Sequence, residues 1–238
     1  MNSKKELDNG KLGIERKLYY REMIARYSHH LGLQWNLCEE YNLDFELSPQ
    51  TVKSFAGYIR SVDPYNHPVT VHNAGDVEDA WGPFVGDDRF CVTSLQTNDI
   101  DAIQKLRNQS KNAGNPLVIG MDEFFPDKAN SNNVERHRKE YIWPVYFSGG
   151  QIEFILEELL GTGNFRKHEK LWRYMWYARK FMENHLTYWE MTPHNSLLIN
   201  ESKFEGKYDT YEGRVFAKKN EMYAIYLPVA DKTGKLVI

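Results

Sequence analysis

Two pairs of acidic residues in this 238-residue sequence directly follow short apolar runs. Glu39 and Glu40 end one run, and Asp122 and Glu123 end another. If both runs are parallel strands of an α/β protein, their carboxyl ends meet at the edge where such folds bind ligands. Hydrolysis of a glycosidic bond needs one protonated and one ionised carboxyl group, and this arrangement would supply them. Each residue taken singly also fits a solvated strand end or the start of a helix.

The elements that must position these acids alternate between helix and strand. Apolar residues at helical spacing predict helices over 16–30, from Ser48-Pro49 to about residue 60, and over 99–112, 133–142 and 165–185. Apolar runs predict strands over 31–38, 68–72, 90–96, 116–121 and in 145–156. Strands roughly 20–35 residues apart with helices between them are typical of βα units and a parallel sheet.

Two regions depart from this alternation. Residues 73–89 show no helical period and are predicted to form a long loop that contains Trp81. After Pro193 the pattern favours β structure over 214–217, 221–227 and 236–238, with a tight turn at Asn220. We therefore predict a first domain over 1–192 and a small β domain over 193–238.

Composition excludes several classes of protein. With 33 acidic and 30 basic residues the net charge is −3, which gives no strong field for nucleic acid or an anionic membrane as partner. No apolar run approaches the ~18 residues of a membrane span, and the polar start has no signal-peptide core. Aromatic residues make up 14%, which suits a packed core and also stacking on sugar rings. The two cysteines, Cys38 and Cys91, are predicted to be reduced, buried thiols and not zinc ligands.

A family resemblance is carried by the stretch GIERKLYYREMIARYSHHLGLQWNLCEEYN. This stretch resembles the middle of a family of (β/α)8-barrel glycoside hydrolases, the apiosidase-like enzymes whose C-terminal domain is described as collagen-binding. The similarity continues through YIRSVDPYNHPVTVH, SLQTND, NPLVIGMDE, SGGQIEF and LWRYMWYARKFMENHLTYWEM to RVFAKKNEMYAIYLP, nearly the whole chain. It implies an α/β fold: a partial TIM barrel, about strands four to eight, followed by the start of a β-sandwich.

The resemblance also implies roles for the acidic residues. Glu40 takes the place of the acid/base at the end of the fourth strand, and Glu39 takes the place of the Asn before it. Glu123 takes the place of the nucleophile on the seventh strand. The substrate is then a carbohydrate, and such a pair needs no metal or cofactor.

Further residues are candidates for substrate binding, each with a structural alternative. His72 and Gln96 would face the pocket, or be an ordinary strand-end histidine and a loop-anchoring amide. Asn36 would orient a carboxylate, or be a satisfied polar group in the core. Trp81 would stack on a sugar or anchor its loop, and Asp122 would point away from Glu123 along the strand. Glu153 and Phe154 stand where relatives have Glu-Trp.

The resemblance leaves the barrel incomplete, because five strands of eight cannot close it. The missing N-terminal half would then be a partner, and export to the periplasm or outside the cell is implied. Two departures from the family pattern are Cys38 where Gly is usual and Phe154 where Trp is usual. The alternative function is a non-catalytic barrel remnant that binds carbohydrate or matrix.

Overall fold

The computed structural model describes residues 4–123, 128–156, 164–207, 209–230 and 234–238. Contacts between Cα atoms divide the chain into two units. The first unit contains Met1–Thr97 and Lys105–Glu123, and the second contains Asn98–Gln104 and Phe124–Ile238. The predicted division into 1–192 and 193–238 stays a prediction.

The helices lie largely where their apolar spacing predicts them. They are α1 Ile14–Tyr27, α2 Pro49–Val62, α3 Val77–Trp81, α4 Ile100–Asn112, α5 Val134–His137, α6 Trp143–Phe147 and α7 Glu169–His185, with a π-helix over Arg138–Ile142. Short 3-10 helices cover Asp8–Gly10, Gly82–Phe84, Phe165–His168, Tyr188–Glu190 and Asn195–Leu197. In the described part of the chain, no helix is long and apolar enough to cross a membrane.

The strands are short. They are β1 Trp35–Asn36, β2 Val69–Thr70, β3 Leu95–Gln96, β4 Ile119–Glu123, β5 Gly150–Ile152, β6 Thr192–Pro193, β7 Leu198–Ile199, β8 Phe204–Glu205, β9 Thr210–Tyr211, β10 Arg214–Lys218, β11 Met222–Tyr226 and β12 Lys235–Leu236. Those before residue 124 pair in parallel, and those after residue 190 pair antiparallel. The chain is therefore a mixed α/β protein.

In the first unit, helices and parallel strands follow one another along the chain as predicted. β1 pairs with β2, the residue pair His72 and Ser94 continues the parallel pattern, and β3 pairs with β4. Helix α2 illustrates how the sequence fixes these elements. Its N-cap Ser48 accepts a hydrogen bond at Oγ from the Thr51 amide at 3.2 Å, and Pro49 occupies its first turn. The helix buries a stripe on one face, namely Val52, Phe55, Ala56 and Ile59.

The predicted loop over 73–89 is wrong in part, because it contains a helix. Asp76 caps α3 by accepting a hydrogen bond at Oδ1 from the Asp79 amide at 3.0 Å. The helix is only five residues long and continues into a 3-10 turn, so it is too short to show a period in the sequence. Its buried residues include Trp81, which therefore belongs to the core of the first unit.

The predicted strand within 145–156 is also only partly correct. Pro144 stands in the first turn of α6, where its fixed φ favours a helix, and the helix continues to Phe147. Gly149 then turns the chain at a φ of +80°, and β5 begins at Gly150. A short apolar run fits either a helix or a strand, and here it forms both in succession.

The second unit has the β character predicted for its C-terminal part. β10 and β11 form a hairpin whose turn contains Asn220 at a φ of +68°, as predicted. β6 pairs with the other edge of β10. Met182 and Leu186, which follow one face of α7 into the next segment, pack in a cluster with Phe216 of β10 and Tyr226 of β11. Whether these antiparallel pairs belong to a β-sandwich stays a prediction.

Candidate active site

The carboxyl ends of the parallel segments bring the acidic residues of the first unit together. The Leu37 amide donates to Thr70 O at 3.0 Å, and the His72 amide donates to Cys38 O at 3.3 Å. On the next pair of strands, Gln96 lies opposite Glu123. Glu39, His72, Gln96 and Glu123 therefore leave their strands at the same edge of the unit.

His72 lies between the carboxylates, and its side chain is only 5% exposed. Its Nε2 lies 3.4 Å from Glu123 Oε2 and 3.7 Å from Glu39 Oε1. Its Nδ1 lies 3.0 Å from Ser94 Oγ and 3.4 Å from Asp122 Oδ1. Both ring nitrogens thus face acidic groups, and the predicted role of His72 in substrate binding stays a prediction.

The hydrogen bonds of Ser94 determine which ring nitrogen of His72 carries a proton. The Ser94 hydroxyl has one proton and donates it to Asp122 Oδ2 in a short hydrogen bond. Ser94 Oγ must therefore accept from its other neighbours, Asn36 Nδ2 at 3.3 Å and His72 Nδ1. His72 Nδ1 is consequently an N–H donor, and Nε2 is the nitrogen presented to Glu39 and Glu123.

Charge at this edge acts on His72. Burial lowers the pKa of its imidazole, but the interaction with Asp122 and the negative charges of Asp122, Glu39 and Glu123 outweigh burial. The pKa of His72 is therefore raised above its ordinary value.

A bulge in the sheet brings Asp122 to the same histidine as Glu123. In a regular strand adjacent side chains point to opposite faces, which is why Asp122 is expected to point away. Leu95 pairs with Met121, however, and Gln96 pairs with Glu123, so Asp122 is an extra residue on β4. Such an irregularity re-aims a side chain. The prediction that Asp122 points away is wrong, and its carboxylate instead fixes Ser94 and His72.

Glu40 occupies a turn directly after the strand. Its φ is +36°, a backbone conformation that residues other than glycine seldom adopt. Lys4 Nζ donates to Glu40 O at 2.7 Å and also to Leu43 O, which holds this turn. Glu40 Oε1 accepts a hydrogen bond from Gln96 Nε2 at 3.1 Å. Gln96 therefore links Glu40 to the strand pair that carries Glu123.

Asn73, which the sequence analysis did not single out, holds the backbone of Gln96 in place. Its Oδ1 accepts hydrogen bonds from Trp81 Nε1 at 3.2 Å and from the Gln96 amide at 3.4 Å. Trp81 is fully buried, with its ring centroid 5.7 Å from Phe84 and 6.3 Å from Phe90. Because Trp81 is fully buried, the prediction that it stacks on a sugar is wrong, and the alternative, that it anchors its segment, is the one observed.

The remaining predicted residues have different surroundings. Asn36 is exposed and is not a satisfied core group; through Ser94 it supports Asp122. Cys38 is buried, and burial raises the pKa of its thiol to about 11, so it stays protonated at neutral pH. Glu153 and Phe154 belong to the second unit, where the Phe154 ring stacks on His137 with centroids 5.5 Å apart. Their proposed contact with substrate stays a prediction.

A subset of the cluster has the donor atoms of a metal site. One carboxylate oxygen of Glu39, one of Glu123 and a ring nitrogen of His72 all lie within 4.8 Å of one another. Two oxygen donors and an imidazole nitrogen suit a divalent transition metal.

Comparison with known proteins identifies a related fold. No family model matches the chain, and no curated protein matches it by sequence. A GH10 xylanase from Thermobacillus composti matches with a TM-score of 0.41 and 12% identity, over 59% of this chain and 54% of that chain. A candidate glycoside hydrolase from Bacteroides vulgatus matches with a TM-score of 0.54 and 17% identity, over 71% of this chain. The match covers 34% of that protein, so the fold of this chain is similar to about a third of it.

Proposed function

We propose that this chain carries the carboxyl pair of a glycoside hydrolase that retains the configuration of the anomeric carbon. The observation that carries the proposal is the convergence of Glu39, Glu40 and Glu123 at one strand edge. Glu39 and Glu123 present oxygens within 4.8 Å of each other, and Glu40 is tied by Gln96 to the strand that pairs with β4. The fold shared with the Bacteroides vulgatus protein is consistent with this function.

The partners of the three glutamates divide the roles among them. Glu39 and Glu123 both face His72 Nε2, and a fixed polar neighbour of this kind holds a carboxylate in one orientation, which suits a nucleophile. Glu40 instead accepts a hydrogen bond from the neutral amide of Gln96. These contacts support Glu123 as nucleophile and Glu40 as acid/base.

The reaction then follows in two steps. Glu123 attacks the anomeric carbon, and Glu40 transfers its proton to the glycosidic oxygen, which leaves as an alcohol. Glu40, now a carboxylate, takes a proton from a water molecule that attacks the same carbon and releases Glu123. Sugar hydroxyl groups would be bound by the polar side chains that line the same edge, namely Asn36, Glu39, His72 and Gln96.

The test measures release of reducing sugar from a panel of polysaccharides and aryl glycosides. We expect Glu123→Gln and Glu40→Gln to lower turnover by several orders of magnitude, because each removes one member of the pair. Glu46→Gln, at an exposed position of the same unit, is the matched control and should keep the rate. Undiminished turnover in both site variants would contradict the assignment. Oligosaccharide binding without product, unchanged in Glu123→Gln, would instead favour a binding protein.

A further inference from the structure

Among the described residues, none forms a hydrogen bond with one buried ring nitrogen of His72, Nε2. Its Nδ1 is satisfied by Ser94, whereas its Nε2 makes no hydrogen bond with any described residue. The His72 side chain is only 5% exposed, so this nitrogen is also shielded from solvent. A buried polar atom of this kind calls for a partner. Nε2 points between Glu39 Oε1 and Glu123 Oε2, so a ligand that reaches it also reaches both carboxylates.

We propose that Glu39, His72 and Glu123 form a binding site for a divalent transition metal ion such as Zn²⁺. Zinc bonds of about 2.0–2.2 Å to nitrogen and oxygen in a tetrahedron place ligand atoms roughly 3.4 Å apart. The distances from His72 Nε2 to Glu123 and Glu39 are 3.4 and 3.7 Å, close to this spacing. The two glutamate oxygens lie within 4.8 Å of each other and reach the same spacing when the partly exposed Glu39 side chain turns toward Glu123. Three protein ligands leave the fourth position for water.

The residues behind these ligands favour the same occupant. Metal-bound histidines donate their other ring N–H to a neighbouring acceptor, which fixes the ring and its tautomer. Ser94 accepts a hydrogen bond from His72 Nδ1 and donates one to Asp122. With the proton at Nδ1, the lone pair of the imidazole lies at Nε2, where it is available to the metal. An imidazole ligand also selects zinc over Mg²⁺, which prefers oxygen.

The inference goes beyond the proposed hydrolysis and does not depend on it, because it needs only the positions of three side chains. The two are linked through Glu123. A carboxylate bound to a cation cannot attack a sugar, so an occupied site would block the proposed reaction. The test must therefore measure binding and not activity.

The experiment is calorimetric titration of the 238-residue chain with zinc chloride in buffer free of chelators. The exposed pair His29 and His30, with ring centroids 3.9 Å apart, is a second place where zinc could bind. We therefore use a His29→Gln/His30→Gln background. There we expect one saturable zinc site that Glu39→Gln weakens more than tenfold and His72→Ala removes, while Mg²⁺ does not compete at equal concentration.

Glu46→Gln is the control, since it removes the same charge from an exposed position outside the cluster. It should bind zinc like the background protein. Glu39 is 45% exposed, so its replacement should leave the fold intact, and circular dichroism checks this for both variants. If His72→Ala fails to fold, Glu39→Gln alone carries the test. Absence of saturable binding, or zinc affinity that Glu39→Gln leaves unchanged, would overturn the proposal.

Discussion

Ser94 Oγ lies 3.0 Å from His72 Nδ1, and this contact joins the segment after β2 to the segment before β3. The same two residues form a parallel backbone bridge, so the side-chain and main-chain contacts coincide. Ser94 is fully buried and also bonds to Asp122. One hydroxyl group thus orients the histidine that faces Glu39 and Glu123.

The first prediction concerns removal of this hydroxyl. Ser94→Ala leaves His72 Nδ1 and Asp122 without their shared partner, and unsatisfied buried polar groups cost about 1–3 kcal/mol. We expect the free energy of unfolding to fall by roughly that amount in urea titrations. Ser61→Ala, at an exposed position of α2, should change it little. Equal stability of the two variants would show that water replaces the Ser94 hydroxyl.

The second prediction concerns stability in acid. Asp63 is buried and accepts hydrogen bonds from Trp35 Nε1 at 3.0 Å and from the His67 amide at 3.0 Å. Burial raises the pKa of Asp63, but these hydrogen bonds and the His67 ring outweigh it, so the pKa lies below the usual 3.8. A lowered folded pKa contributes stability that is complete above the unfolded value and is lost as pH falls through the folded value.

We therefore expect the melting temperature of the wild type to fall steeply with pH below about 4, and that of Asp63→Asn to fall less steeply. The variant should also be less stable at neutral pH, because it loses a charged acceptor. Asp88→Asn, at an exposed position, serves as the control. If the melting temperatures of Asp63→Asn and the wild type fell equally steeply below about pH 4, the role of Asp63 would be refuted.

The positions of Glu39 and Glu123 could be expected from the sequence because each follows an apolar run that forms a strand. Local patterns contain that information. The bulge that brings Asp122 to His72 depends on how β4 pairs with β3, a contact between segments more than twenty residues apart. No local pattern around Asp122 reports this register, so strand alternation gave the wrong face.

Trp81 shows a different limit. The sequence around it favours a loop because a five-residue helix has too few positions for a period. The cap at Asp76 was the available signal, since Asp followed by acidic residues in the next turn is typical of a helix start. Whether an aromatic ring then faces solvent or the core depends on Phe84 and Phe90, which tertiary packing places.

The third prediction follows from this burial. Trp81→Ala should lower the free energy of unfolding by about 3–5 kcal/mol, because it opens a large cavity and removes the donor to Asn73. Trp189→Ala, which replaces a tryptophan that is 68% exposed, should cost far less. Denaturant titrations of both variants make the comparison. A small effect at Trp81 would mean that its ring is not packed in the core.

The fourth prediction separates stability from function at Glu40. Its φ of +36° is strained for a residue with a Cβ, and glycine adopts such a conformation without penalty. Glu40→Gly should therefore unfold with a free energy equal to or up to about 1 kcal/mol above that of Glu40→Gln, which keeps the strain. Both variants should lack hydrolytic activity. Both variants lack the carboxylate, so the comparison of glycine with glutamine reports only on the backbone. A Glu40→Gly protein clearly less stable than Glu40→Gln would show that the turn held by Lys4 carries no strain.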